Sequence, residues 1–168
     1  MNRRELIKAM LAAPALALLP AVASPTPVLN PPLPGKFIWF GGLNEVSTRV
    51  GETVSYAYDA DFAVDICEGP VQGVQRIWAD DRCIYDIRPR QANESDAAYA
   101  ERHALTAEID QHLTVYLGTE MQQASPLIES YLGVGNAPAF RGRHYITLQQ
   151  FPVEQYGNRV PRFAVETR

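Results

Sequence analysis

The residues in this 168-residue chain with the most chemical potential are three histidines, two cysteines and one close pair of carboxylates. His103, His112 and His144 share none of the short spacings that bring ligands together on a metal, and no CxxC pairs the thiols. Asp65 and Glu68 flank a turn at Gly69-Pro70. Two neighbouring carboxylates can divide acid and base roles when their environments differ. At a turn, Glu68 is better read as an acceptor for backbone donors. Gly133-Val134-Gly135 has the composition of a phosphate cradle, but it follows a helical pattern instead of opening one, which excludes that use. No serine stands in a G-x-S-x-G elbow. These patterns assign no catalytic residue, no metal ligand and no cofactor, and they point away from an enzyme.

The elements that hold these residues centre on Phe62 to Asp86. Phe62 to Cys67 is an apolar run broken by Glu68-Gly69-Pro70. Val74 to Ala79 is a second run suited to a pleated surface. Ala79-Asp80-Asp81-Arg82 is a turn, and Cys83-Ile84-Tyr85 returns as a third strand. The spacing predicts a β-meander with Trp78 as its core anchor and Tyr85 opposite it as an aromatic partner. It also places Cys67 and Cys83 on adjacent strands. A bridge there would contribute about 3 kcal/mol in an exported chain, but two small buried thiols are the preferred reading.

Upstream, Val54 to Tyr58 alternates with a period of two, and Phe37 to Phe40 suits a strand or a docking segment. Downstream, Ser95 predicts the cap of a helix over Asp96–Ile109, with Ala97, Ala100, Ala104 or Leu105 and Ile109 along its packed side. Leu113–Leu117 is a strand closed by Gly118. Ser125-Pro126 opens a short helix through Leu132, ended by Gly133. Tyr145–Phe151 alternates Tyr145, Thr147, Gln149 and Phe151 against Ile146, Leu148 and Gln150. Tyr156 to Arg159 turns into a last strand from Arg162. The fold class is α+β, mostly antiparallel strands with two short helices.

The first 36 residues differ in kind. Arg3-Arg4 and Lys8 precede the apolar Ala9–Leu19, and Ala21-Val22-Ala23 has the small residues of a cleavage site. Residues 1–23 are a possible twin-arginine-like export signal, too short for a membrane span. Residues 24–36 hold five prolines between Pro25 and Pro34, which predicts a linker that stays off the domain at 37–168. The net charge of −4 and the lack of a Lys/Arg cluster beyond the N-terminus argue against a nucleic-acid partner.

Several motifs, in order, resemble a family of phage tail-tip proteins. They are Phe62-Ala63-Val64, Cys67-Glu68-Gly69-Pro70-Val71, Gly73 and Arg76-Ile77-Trp78-Ala79-Asp80. Val115 to Glu120 follows, then Pro126 to Glu129, Gly135 to Gly142 with Tyr145, and Phe151-Pro152 with Tyr156 to Pro161. Over residues 54–166 the chain is similar to the tip attachment protein of lambda-like siphophages and the tail-hub (baseplate) protein of gene transfer agents. The resemblance implies a non-enzymatic structural component of a phage, prophage or gene-transfer-agent tail tip. Its partners would be copies of itself or other tail proteins in a ring, and its place the virion tail, assembled in the host bacterial cytoplasm.

The resemblance marks Glu68, Gly69, Pro70, Trp78, Gly142, Tyr145, Gly157 and Asn158 as structural positions. Arg141, Arg143 and Arg159 are candidate interface residues, with solvated surface charge as the equal alternative. Family members are longer, so the domain is expected to be incomplete at its C-terminus, its last strand an open edge that recruits a partner. The alternative from the N-terminal signal is a small exported β-rich binding module of the cell envelope, acting in the periplasm.

Overall fold

The computed structural model describes residues 32–168. The export signal at 1–23 and the linker up to Pro31 lie outside the described residues. The chain is α+β, with eight strands in two antiparallel four-stranded sheets and two helices among the described residues. The strands are β1 (Leu33–Pro34), β2 (Lys36–Val50), β3 (Thr53–Glu68), β4 (Val74–Ala79), β5 (Arg82–Asp86), β6 (Leu113–Leu117), β7 (Arg143–Pro152) and β8 (Phe163–Thr167). The helices are α1 (Asp96–Asp110) and α2 (Pro126–Leu132). One sheet runs β1-β8-β4-β5 and the other β2-β3-β7-β6.

The main core lies between the sheets. Phe62, Val64, Ile146, Leu148 and Phe151 on one side meet Ile77, Tyr85, Phe163 and Val165 on the other. Phe62 touches both Phe151 and Phe163, with ring centroids 5.7 and 5.4 Å apart. Both edges of this sandwich are closed. On one, the chain steps from β1 straight into β2 through Gly35, where a Cβ would lie 2.4 Å from Val64 Cγ1. On the other, α1 packs beside β5 and β6 and sends Leu105 and Ile109 into the core. A smaller core on the outer face of the second sheet joins Ala63, Tyr145 and Ile128 of α2.

Local signals gave local structure. Ser95 Oγ accepts from Ala98 N at 3.2 Å and caps α1, which spans the expected residues to within one. Its packed side differs, however. Ala97, Ala100 and Ala104 face solvent, while Arg102, Leu105, Thr106 and Ile109 turn inward. The inward Arg102 is satisfied by the Glu94 carboxylate ahead of the helix and by the carbonyls of Asp86 and Arg88, which periodicity of apolar residues does not register. β6 has the expected ends. Ser125 and Pro126 open α2 and Gly133, with φ at 91°, closes it, but the buried Ser125 hydroxyl makes no capping bond.

The non-local expectations needed more correction. The β4–β5 hairpin forms, but β3 belongs to the other sheet, so there is no meander through Phe62 to Tyr85. Cys67 and Cys83 are therefore on different sheets, and both are free. A register shift after Ile77 sets Ile77 against Tyr85 and Trp78 against Cys83. Ile77 is buried, whereas Trp78 is half-exposed with the Arg76 guanidinium over its ring at 4.6 Å. Trp78 is thus a covered surface residue and not the core anchor. In β7 the residue at Gln150 takes a positive φ of 52°, and this bulge turns Phe151 to the side of Ile146 and Leu148. The linker expectation for 24–36 fails at its end, since Leu33–Pro34 pairs with β8. Proline is tolerated there because the strand is an edge. β8 is consequently interior, flanked by β1 and β4, and is not the open edge foreseen for it.

Candidate assembly surface

Three segments, up to 78 positions apart in sequence, meet at one node around Gly69, Gly118 and Gly142. Gly69 N donates to Gly142 O at 2.8 Å, and Val71 N to Leu117 O at 2.9 Å. Gly118, with φ at 80°, lies so close to this crossing that a Cβ would sit 2.4 Å from Gly69 O and 2.9 Å from His144 N. Only glycine fits there. Gln122, buried beneath, accepts from Gly118 N at 2.8 Å and donates to the carbonyls of Ala139, Phe140 and Arg143 at 2.9–3.2 Å. One side-chain amide thus serves four backbone groups, of which Phe140 O also accepts from Arg143 N at 3.1 Å.

Charge completes the node. Arg143 Nε donates to Asp65 Oδ1 at 2.9 Å, its Nη2 to Asp65 Oδ2, and its Nη1 to Glu68 Oε1 at 3.2 Å. Asp65 and Glu68 therefore share one guanidinium and do not form an acid–base pair. Glu68 is exposed at its side chain and accepts no backbone bond, contrary to expectation; the turn amides of Gly69 and Val71 go instead to the carbonyls of Gly142 and Leu117. Pro70 is exposed at the turn, and Gly142 turns the chain into β7. Tyr145 is buried, stacked on Tyr116 at 4.2 Å with parallel rings, and burial holds its phenol above the ordinary range. His144 donates from Nδ1 to Tyr116 O at 2.7 Å while Nε2 has no partner, an arrangement suited to a neutral ring. Burial lowers its pKa.

The three candidate interface arginines are brought to two places. Arg143 and Arg141 belong to the node, Arg141 Nε reaching Gln122 O at 3.3 Å. Arg159 lies elsewhere, donating to Asp80 Oδ2 at 2.7 Å across the turn where Gly157 and Asn158 take positive φ. All three are engaged within their own chain.

A cleft of about 350 Å³ opens between α1 and the β4–β5 hairpin. Sequence reasoning missed it because its charges come from three elements. Arg88 forks onto the buried Asp86 at 2.7–3.2 Å, Arg102 grips Glu94 twice at 2.8 Å, and Arg76 pairs with Glu166. Burial pushes the Asp86 carboxyl up, but the Arg88 bonds outweigh it and the pKa is lowered. Arg102 holds the Glu94 carboxyl at about 2. Burial raises the Cys83 thiol in the same cleft, and the Cys67 thiol too, so neither is disposed to be a thiolate nucleophile. These are fully paired structural ions. Among the described residues no group of three His, Cys, Asp or Glu side chains is placed to hold a metal.

The remaining feature is an arm. Beyond the Asn44–Asp59 pair, β2 and β3 pair only with each other, because β7 joins β3 no further out than Asp59. Side chains from Leu43 to Tyr56 are exposed where described. Cross-strand partners share a face, so the side of β3 that carries Ala60, Phe62 and Val64 into the core continues outward as Tyr58, Tyr56 and Val54. Phe40 and Leu43 lie on that same side of β2. Leu43 is 48%, Tyr56 55% and Val54 41% exposed. The core-facing surface of the sheet runs out past the sheet that should cover it.

No protein-family model matches the chain, and no curated protein sequence does either. No helix among the described residues is long and apolar enough to cross a membrane. Among solved structures, one described as the virion of a native gene transfer agent particle contains a similar chain, with 26% identity and a TM-score of 0.43. The similarity covers 82% of this chain and 27% of that one, so this chain spans about a quarter of the length of the virion protein it resembles.

Proposed function

We propose that this chain is a non-enzymatic structural module of a phage, prophage or gene-transfer-agent tail, placed at the tail tip or hub and joined there to other tail proteins or to copies of itself. The observation that carries this reading is the node. Gly69, Leu117, Gly118 and Gly142, which lie in segments of the tail-hub resemblance, are joined with Gln122 and Arg143 into one hydrogen-bonded lock of three distant segments. Such residues fix the shape of a module. The exposed arm supplies what an assembling module needs, an apolar surface continuous with its core.

Deletion of the gene from a particle-producing strain tests this reading. Negative-stain microscopy should show filled heads with absent or unsealed tails, restored by the gene in trans. Tails of normal number and infectivity, with the chain recovered from the periplasm, would instead favour the exported envelope module.

A further inference from the structure

The arm carries charges in a self-complementary order. Along its core-side face, from base to tip, the cross-strand pairs are Glu45 with Tyr58, Ser47 with Tyr56, and Arg49 with Val54. No register shift interrupts them. The acid thus stands at the base and the base at the tip, roughly 13 Å apart at strand spacing. Tyr58 donates to Glu45 at 2.8 Å and holds that carboxylate on this face. Between the two charges lies the Ser47–Tyr56 pair, whose exposed aromatic ring fills the middle of the face.

We propose that this face docks on the same face of a second copy, the two arms antiparallel about a two-fold axis through the Ser47–Tyr56 pairs. Arg49 of each copy then meets Glu45 of the other, and Val54 covers Tyr58, so each contact is made twice, as an isologous interface requires. A parallel stacking sets β2 of one copy over β3 of the other, so Arg49 faces Val54 and Glu45 faces Tyr58, and neither charge gains a partner. The arm's own construction supports an occupant of this kind, since an isolated two-stranded hairpin is marginal in water until its apolar face is covered. The other face bears Val46 with Ala57 and Thr48 with Ser55, and has no such charge order.

Sedimentation equilibrium of the folded domain over a wide concentration range tests the contact. A monomer–dimer equilibrium is expected. Arg49→Glu and Glu45→Arg should each weaken it about tenfold or more, and the double variant E45R/R49E should restore it. Tyr56→Ser should abolish it, while Val46→Ser on the opposite face leaves it unchanged. All of these positions are exposed, so unchanged circular dichroism and melting temperature verify the fold. A monomer at every concentration, or a dimer indifferent to the single charge reversals, would overturn the proposal, as would failure of the double variant to restore it. The tail reading fails separately: a monomeric chain found in tails overturns only the arm contact, and a dimer absent from tails overturns only the tail reading.

Discussion

Replacing Gln122 with alanine removes one acceptor and two donors from a site closed to water. Gly118 N and the carbonyls of Ala139 and Arg143 then lose this partner, while Phe140 O keeps the Arg143 amide. An unsatisfied buried group costs about 1–3 kcal/mol, so Gln122→Ala should lower the melting temperature by roughly 4–8 °C. Calorimetry showing no change would mean that water replaces the amide and the node is not closed. His144 gives a pH prediction. Burial lowers its folded pKa, so below about 6.5 the unfolded chain binds a proton that the folded chain refuses, and stability must fall as pH falls. The carboxyls of Asp80, Asp86 and Glu94 are all lowered by arginine partners and titrate below this window. The melting temperature should therefore drop between pH 7 and pH 5, and His144→Gln, which can still donate to the Tyr116 carbonyl, should flatten that slope. An unchanged slope would assign the loss to another group. Neither Gln122 nor His144 stood out in the sequence as structural, because an isolated Gln or His gives no pattern until the backbone groups it serves are brought to it from distant segments.

At the scale of elements, what could be read from sequence was what neighbours in sequence decide. Ser95 caps its helix, Gly118 closes β6, and Gly157-Asn158 turns the chain, each by chemistry acting over a few residues. Strand direction within β4 was misread because a register shift at Ile77–Trp78, set by β5, decides which of the two enters the core. Ile77→Ala should accordingly cost about 2–5 kcal/mol, while Trp78→Ala costs less, since Trp78 loses only its partial cover and the Arg76 contact. Urea denaturation of the pair checks this. A larger loss for Trp78 would restore it as the anchor of the hairpin. In β7 the Gln150 bulge, held by its amide on Asp61 Oδ1 at 2.6 Å, inverts the alternation after Leu148. Nothing in a period-two pattern announces such an inversion.

The whole molecule is where sequence pattern said least, because strand order across two sheets depends on pairings between distant segments. β8 pairs with β4 and also with Leu33–Pro34 from the other end of the described chain, which makes it interior. The α+β class survived this, since apolar alternation marks a strand whichever sheet it joins. The runs at Val54–Tyr58 and Phe62–Cys67, however, are one continuous strand, β3, and Phe37–Phe40 is the start of the long β2. The arm is the exception to compactness, and it should be dispensable to the body. Joining Asn44 to Asp59 through an Asn-Gly turn should leave the melting temperature of the domain nearly unchanged and remove its self-association. A collapse of stability would show that the arm belongs to the core. The central claim, that the chain is a structural part of a tail tip, is tested most directly by immunogold labelling of purified particles that carry an epitope-tagged copy. Gold is expected at the tail end distal to the head, in particles of normal morphology. Gold absent from all particles, with the tagged chain recovered only from the cell envelope, would contradict it.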